Sequence, residues 1–276
     1  MKPIRQVPPT WLMGLSNAAF GLYSGIAFFA IPQVLATHHV SEARIAAVTA
    51  MALSPNFWAV IFGPMLDVRF SRRWYATFFA ALAALLVFIA VTNLDHLVVL
   101  EVALVLGSCS AILSTTALGG WLSSVCRKAE ENRLSAWFNL AYICASGFTM
   151  IIAGELIRHL PVWMAAALLA AIVFLPATLF QLIPAPGPDR RLAGERFMQF
   201  SREIFTLLRR REVLITLLLF LTPCGSFALT NLLGGIGNDF SASPRMVSLA
   251  GGAGAIVPGI LGCLLFPLLS TRMPLR

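Results

Sequence analysis

The sequence predicts an all-α, polytopic membrane protein, a bundle of transmembrane helices. Three observations predict it. Hydrophobic residues make up 58% of the 276 residues and charged ones only 12%, about half the charged share of a soluble globular domain. Apolar runs long enough to cross a bilayer, about 17–25 residues, recur along the chain. The basic residues alternate in density from one inter-run segment to the next, as the positive-inside bias requires.

Eight runs are expected to cross: Trp11–Thr37, Ile45–Leu66, Trp74–Thr92, Leu97–Val125, Leu134–Ile157, Pro161–Ile183, Val213–Leu233 and Met246–Ser270. Each is read as a helix. Lipid offers backbone groups no hydrogen-bond partner, and none of the runs alternates as a barrel strand does. The first run is too long for a signal-peptide core, and no small-residue cleavage site follows it. Sorting the segments by side puts 17 of the 20 Lys and Arg on one side and leaves Arg44, Arg158 and Arg245 on the other. Both termini are therefore expected in the cytoplasm, and the chain in the plasma (bacterial inner) membrane. All four histidines (His38, His39, His96, His159) fall on the outer side. The net charge of +8 thus marks topology, and no nucleic-acid partner is expected. Trp11, Trp74, Trp121, Trp137 and Trp163 lie near run ends, where interfacial belts form, and Trp58 lies deeper.

Three regions follow. Residues 1–183 form a six-helix transmembrane bundle. Residues 184–212 form a cytoplasmic linker, with a Pro/Gly start and then a helical pattern placing Phe197, Phe200, Ile204 and Leu208 on one face. That pattern reads as an amphipathic helix on the inner leaflet, docked there or acting as a charge-based sensor. Residues 213–276 hold two more helices. The second run ends "GPMLD" (63–67) and the eighth ends "FPLLS" (266–270), each leading into a basic segment, a short internal similarity.

Chemistry-bearing patterns are few. There is no G-x-S-x-G, H-E-x-x-H or P-loop. Cys109, Cys126, Cys144, Cys224 and Cys263 form no C-x-x-C pair. No enzyme, metal site or cofactor is expected. Among membrane-depth acids, Glu101 and Glu155 sit near the outer ends of the fourth and fifth runs, as proton sites or as snorkelling surface groups. Polar neutral residues recur at helical spacing: Asn17, Phe20 and Ser24; Ser108 and Thr115; Asn139 and Tyr142; and Thr222 and Asn231 around a kink at Pro223. They are either interhelical glue or the wall of a cavity.

The stretch "FGPMLDVRFSRRW" (62–74) concentrates Asp67, Arg69, Arg72 and Arg73 in a chain that avoids charge. With Gly63, it resembles the loop between helices 2 and 3 of the major facilitator superfamily, G-x-x-x-D-(R/K)-x-G-(R/K)-(R/K). Val68 stands where a basic residue is common, no glycine follows, and the Arg pair arrives one residue late. The resemblance implies a gating loop (Gly63, Asp67, Arg69, Arg72, Arg73) that locks the outward-open state, with Gly63 allowing close helix approach. The alternative reading of the segment is a topology-setting basic loop with an incidental acid. Residues 21–67 are also similar to the peptide, acetyl-CoA and drug transporter branch, which includes muropeptide permeases: Gly25, Pro55, Pro64 and Asp67 match, and Ala59 stands at that branch's Lys. This closer similarity extends over 21–157.

The family has twelve helices, so the resemblance implies a bundle with eight of twelve present. It also implies transport by alternating access, with the first, fourth and seventh helices lining a central cavity. The partners expected are the lipid bilayer, a small amphipathic solute such as a muropeptide, and the missing helices 9–12 or another subunit. A non-transporting membrane interaction protein, a fragment, and a drug or sugar facilitator of another branch remain alternatives. The glycine-rich 249–262 run would have no tight-packing partner inside its own bundle.

Overall fold

The computed structural model describes residues 8–67, 70–184, 206, 209–215 and 241–272. Seven long helical elements lie within them. α1 spans Thr10–Thr37. α2 combines Glu42–Leu53, Pro55–Trp58 and a 3-10 stretch, Ala59–Asp67. α3 is Arg72–Thr92 and α4 is Leu97–Val125. α5 is Glu131–His159, α6 is Val162–Gln181 and α7 is Pro244–Arg272. Six of these (all but α2) are long and apolar enough to cross a membrane. The expected seventh run lies outside the described residues except for 213–215, which belong to a short helical stretch over 211–215. The expected linker helix is likewise outside except for scattered positions.

Each interruption has a local cause. Pro55 and Pro64 lack a backbone N–H to close the helical ladder, so α2 steps and tightens into 3-10 geometry. α1 widens into a π turn at Ile26–Ala30. Pro32 follows within one turn and cannot donate to Phe28, and the wider turn absorbs that loss. α1 also breaks at Ser16 and Asn17, where the Ser16 hydroxyl turns back to the Met13 carbonyl at 2.5 Å.

Without a hydrophobic driving force in lipid, small residues let helices approach closely. Methyl groups at Gly21 or Gly25 of α1 would strike the backbone of α5 at Tyr142 and Ser146. A methyl at Gly14 would lie 2.5 Å from the Trp137 Cβ. Two apolar clusters result. One, toward the end of the bundle where α1 ends, centres on Ile26, Ile31, Leu35, Leu100, Leu104 and Leu169; the other, toward the end where α1 begins, on Met13, Leu118, Trp121, Leu122 and Phe180. Trp121 therefore departs from the belt expected of it. Only 1% exposed, it packs edge-on against Phe180 and donates its indole N–H to the Pro184 carbonyl at 3.0 Å. Burying the ring satisfies its polar end within the protein. Trp11, Trp74 and Trp163 are exposed as a belt requires.

α7 packs along α5. A methyl group at Gly252 would come within 2.8 Å of both the Gly147 carbonyl oxygen and Ile151 Cγ1. Gly259 meets Ile143 and Gly251 meets Met150 in the same way. The glycine-rich run thus finds its partner on the six-helix bundle.

Candidate functional site

Near mid-depth, α1, α4 and α5 meet in a polar and aromatic layer between the two apolar clusters. The break in α1 presents Asn17 sideways. Its amide donates to the Phe138 carbonyl of α5 at 3.1 Å and accepts the Thr115 hydroxyl of α4 at 2.6 Å. One turn on, the Phe20 ring stacks on Tyr142 with centroids 5.1 Å apart. Another turn on, the Ser24 hydroxyl bonds the Phe20 carbonyl at 2.8 Å and also meets the Tyr142 phenol. Asn17, Phe20, Ser24, Thr115 and Tyr142 are thereby brought together. Phe20, Thr115 and Tyr142 keep partial exposure, whereas Asn17 and Ser24 are buried. Such a surface can stack a flat or ring-shaped solute and offer it neutral hydrogen-bonding groups.

The other candidates lie apart. Ser108 is buried against Tyr23, whose phenol donates to the Leu104 carbonyl at 2.9 Å and lies 3.2 Å from the Ser108 hydroxyl. Tyr23 was not singled out from the sequence, because only its packing on α4 reveals its partner. Asn139 is exposed and donates to the Ser135 carbonyl of its own helix at 3.0 Å. Thr222 and Asn231 fall outside the described residues. Glu101 is held by Arg44 of α2 at 2.6 Å. Glu155 lies 3.6 Å from Arg158 and 3.1 Å from His159. Glu155 stands 13 residues along α5 from Tyr142, roughly 20 Å at the α-helical rise, so it is far from the mid-depth layer.

In the 62–74 stretch, the Asp67 side chain and Arg69 lie outside the described residues. Arg72 rests its guanidinium against Gly120 of α4, and Arg73 donates to Gln181 at the end of α6. Both are held by the six-helix bundle itself. The close approach expected at Gly63 is not made by the described residues, none of which lies within 4 Å of where its methyl group would stand. Phe62 and Met65 beside it are exposed.

A link between the end of α1 and the start of α7 was not foreseen from the sequence. There the buried Ser248 hydroxyl donates to Gln33 Oε1 at 2.8 Å. Both side chains are buried, so the bond forms in a low-dielectric setting.

A bundle of membrane-length helices with a polar layer among them and a glycine seam along one side defines a polytopic membrane protein. The chain belongs to the Major Facilitator Superfamily, whose family profile matches residues 13–276. Membership makes it a transporter-family protein and not an enzyme. Among solved structures, it is similar to the nucleoside transporter NupG in a mutant form. That match has a TM-score of 0.66 and 16% identity, and covers 95% of this chain and 68% of that one. It is also similar to a D-xylose-proton symporter, with a TM-score of 0.56 at 16% identity, over 95% of this chain and 68% of that one. At that identity the likeness establishes the fold. No curated protein matches the chain in sequence.

Proposed function

We propose that the chain carries a small, neutral, amphipathic solute bearing a sugar or a flat ring across the plasma membrane by alternating access, with both termini in the cytoplasm. The observation that carries this reading is the mid-depth layer, where the Phe20 and Tyr142 rings stack beside the Asn17 and Thr115 hydrogen bond. Neither acid lies near it, so the layer is suited to stacking and neutral hydrogen bonding rather than to ion pairing. In the proposed orientation the Gln33 to Ser248 bond lies toward the outer face, and the glycine seam continues inward to Gly259. This arrangement favours an outer gate that is closed, with α5 and α7 as the surfaces that part.

Within that solute class the muropeptide reading rests on Gly25, Pro55, Pro64 and Asp67 alone. The similar solved structures transport a nucleoside and a xylose, which supports a nucleoside or free sugar as the second reading. The gating role of 62–74 and the proton role of Glu101 or Glu155 are kept as parts of this proposal.

The test is uptake of labelled uridine, D-xylose and anhydro-muropeptide into vesicles carrying the inserted chain, with and without a proton gradient. Saturable uptake of one solute, reduced by Tyr142→Ala with insertion intact, supports the reading and selects the substrate. Collapse without the gradient would show proton coupling. Failure of all three solutes in correctly inserted protein rejects this solute class and leaves a drug-like substrate or a membrane interaction role.

A further inference from the structure

A cavity of about 480 Å³ lies in the seam between the outer ends of α5 and α7. Its polar lining is an acid and a base from opposite helices, Glu155 and Arg245, with Ser248 between them. Its apolar lining is Ile151, Ile152, Leu156 and Leu249. Around α5, the face toward α1 carries Tyr142, Ser146 and Thr149, and the face toward α7 carries Ile143, Gly147 and Met150. Ile152 and Glu155 project from a third side, next to the exposed Phe148. On α7, Leu249 is likewise exposed on that side. The cavity therefore opens toward the bilayer, at the level of the helix ends where head groups lie.

We propose that this groove binds one zwitterionic phospholipid with a primary ammonium, a phosphoethanolamine lipid. The acid and base face one cavity, and Arg245 makes no ion pair with any described residue. A cavity that holds opposite charges apart complements a ligand that carries both. Arg245 meets the phosphate, since a guanidinium matches phosphate oxygens. Glu155 accepts from the ammonium. His159 at 3.1 Å takes one of its acceptor positions, and Arg158 at 3.6 Å lies beyond hydrogen-bond range. A carboxylate has about four such positions, so room for the ammonium remains. The start of an acyl chain lies along Ile151, Ile152 and Leu249, which are a turn deeper or level with the charges. The placement in the outer leaflet rests on the orientation proposed above; the lipid preference does not.

The experiment uses the purified, delipidated 276-residue chain in detergent, titrated with phosphatidylethanolamine, phosphatidylcholine and phosphatidylglycerol of identical acyl chains, with bound lipid read by native mass spectrometry. Phosphatidylethanolamine is expected to bind about tenfold more tightly than phosphatidylcholine, the scale of one charge-assisted hydrogen bond that a trimethylammonium cannot make. Glu155→Gln should erase that preference. Arg245→Gln should weaken both lipids. Leu249→Trp fills the groove while keeping both charges and should abolish the adduct, which decides the matter if a charge variant fails to fold. Equal binding of the two zwitterionic lipids, phosphatidylglycerol binding at or above phosphatidylethanolamine, or a preference that survives Glu155→Gln would each overturn the proposal. Transport activity plays no part in this readout, so its failure is separate from that of the solute reading.

Discussion

If the α5 and α7 seam is the contact that opens, a single methyl group should bias it. At Gly252 the added carbon would stand 2.8 Å from the Gly147 carbonyl oxygen and 2.8 Å from Ile151 Cγ1. Carbon contacts are favourable near 3.5–4.0 Å, so the seam must open by about 0.7 Å. Overpacking of this kind costs about 1–3 kcal/mol. The cost falls on the closed seam alone, so the open population should rise roughly 5- to 150-fold. Gly254 of the same helix has no described neighbour within 4 Å. Gly254→Ala therefore gains the same helix propensity, about 1 kcal/mol, without the clash. The assay places Met150→Cys, whose native side chain is buried against Gly251 in the seam, in a background whose five native cysteines are serine. The labelling rate by a membrane-impermeant maleimide then follows the fraction of time the seam is open. Gly252→Ala should raise that rate at least fivefold, and Gly254→Ala should leave it unchanged. Equal rates in all three proteins, or an equal rise in both alanine variants, would refute a seam that opens.

Three further outcomes follow from contacts described above. Gly120→Val should displace the Arg72 guanidinium and lower transport severalfold while shifting thermal stability by less than about 1 kcal/mol, because a flexible side-chain end gives way; Gly119→Val, which meets only Phe138 Cζ at 3.9 Å, serves as the comparison in both assays. Tyr23→Phe removes the bonds to Leu104 and Ser108 and should cost about 0.5–1.5 kcal/mol in unfolding experiments, with Ser108→Ala adding little on top of it. Cys126 lies just past α4, and burial first, then Glu130 and Glu131, raises its thiol above the ordinary value. Its thiolate form is therefore lost at a higher pH than usual as pH falls, so maleimide labelling of a Cys126-only protein should reach half its maximal rate above a free thiol's midpoint, and Glu130→Gln with Glu131→Gln should lower that midpoint.

The transmembrane architecture was legible because membrane crossing is a property of length and apolarity alone. Runs such as Leu97–Val125 appear in the fold with the ends expected. What was not legible depended on partners far along the chain. Trp121 carries the composition of a belt residue, yet Phe180 and the Pro184 carbonyl draw it inside. The face of Asn17, Phe20 and Ser24 could be read from spacing, and Tyr142 was named with Asn139. Spacing could not show that Tyr142 joins that face whereas Asn139 turns away to Ser135. The link between Gln33 and Ser248 could not be read from the sequence, because the two lie 215 positions apart. The glycines of 249–262 announced close packing without saying against what. Small residues encode the approach distance, and the opposing helix supplies the identity of the partner.

The distribution of hydrogen bonds bears on which parts of the molecule move together. Within the six-helix bundle, Asn17 to Phe138, Thr115 to Asn17, Tyr23 to Leu104, Ser114 to Ala76 and Thr149 to Leu22 each tie one helix to another. At about 0.6 kcal/mol apiece in a membrane interior, these five sum to roughly 3 kcal/mol, and they cross the interfaces of α1 with α4 and α5, and of α3 with α4. The Gln33 to Ser248 bond supplies about 0.6 kcal/mol at the seam. The rest of that contact, among the described residues, is apolar, with glycines of one helix set against Ile and Met side chains of the other. A perturbation that costs a few kcal/mol is therefore absorbed at the seam before it disturbs the mid-depth layer. Under the proposed function, the stacked Phe20 and Tyr142, and the amide and hydroxyl beside them, would travel as a fixed surface on the six-helix bundle. Alternating access, as proposed, requires that arrangement: the proposed binding groups keep their geometry while the surface facing them changes sides.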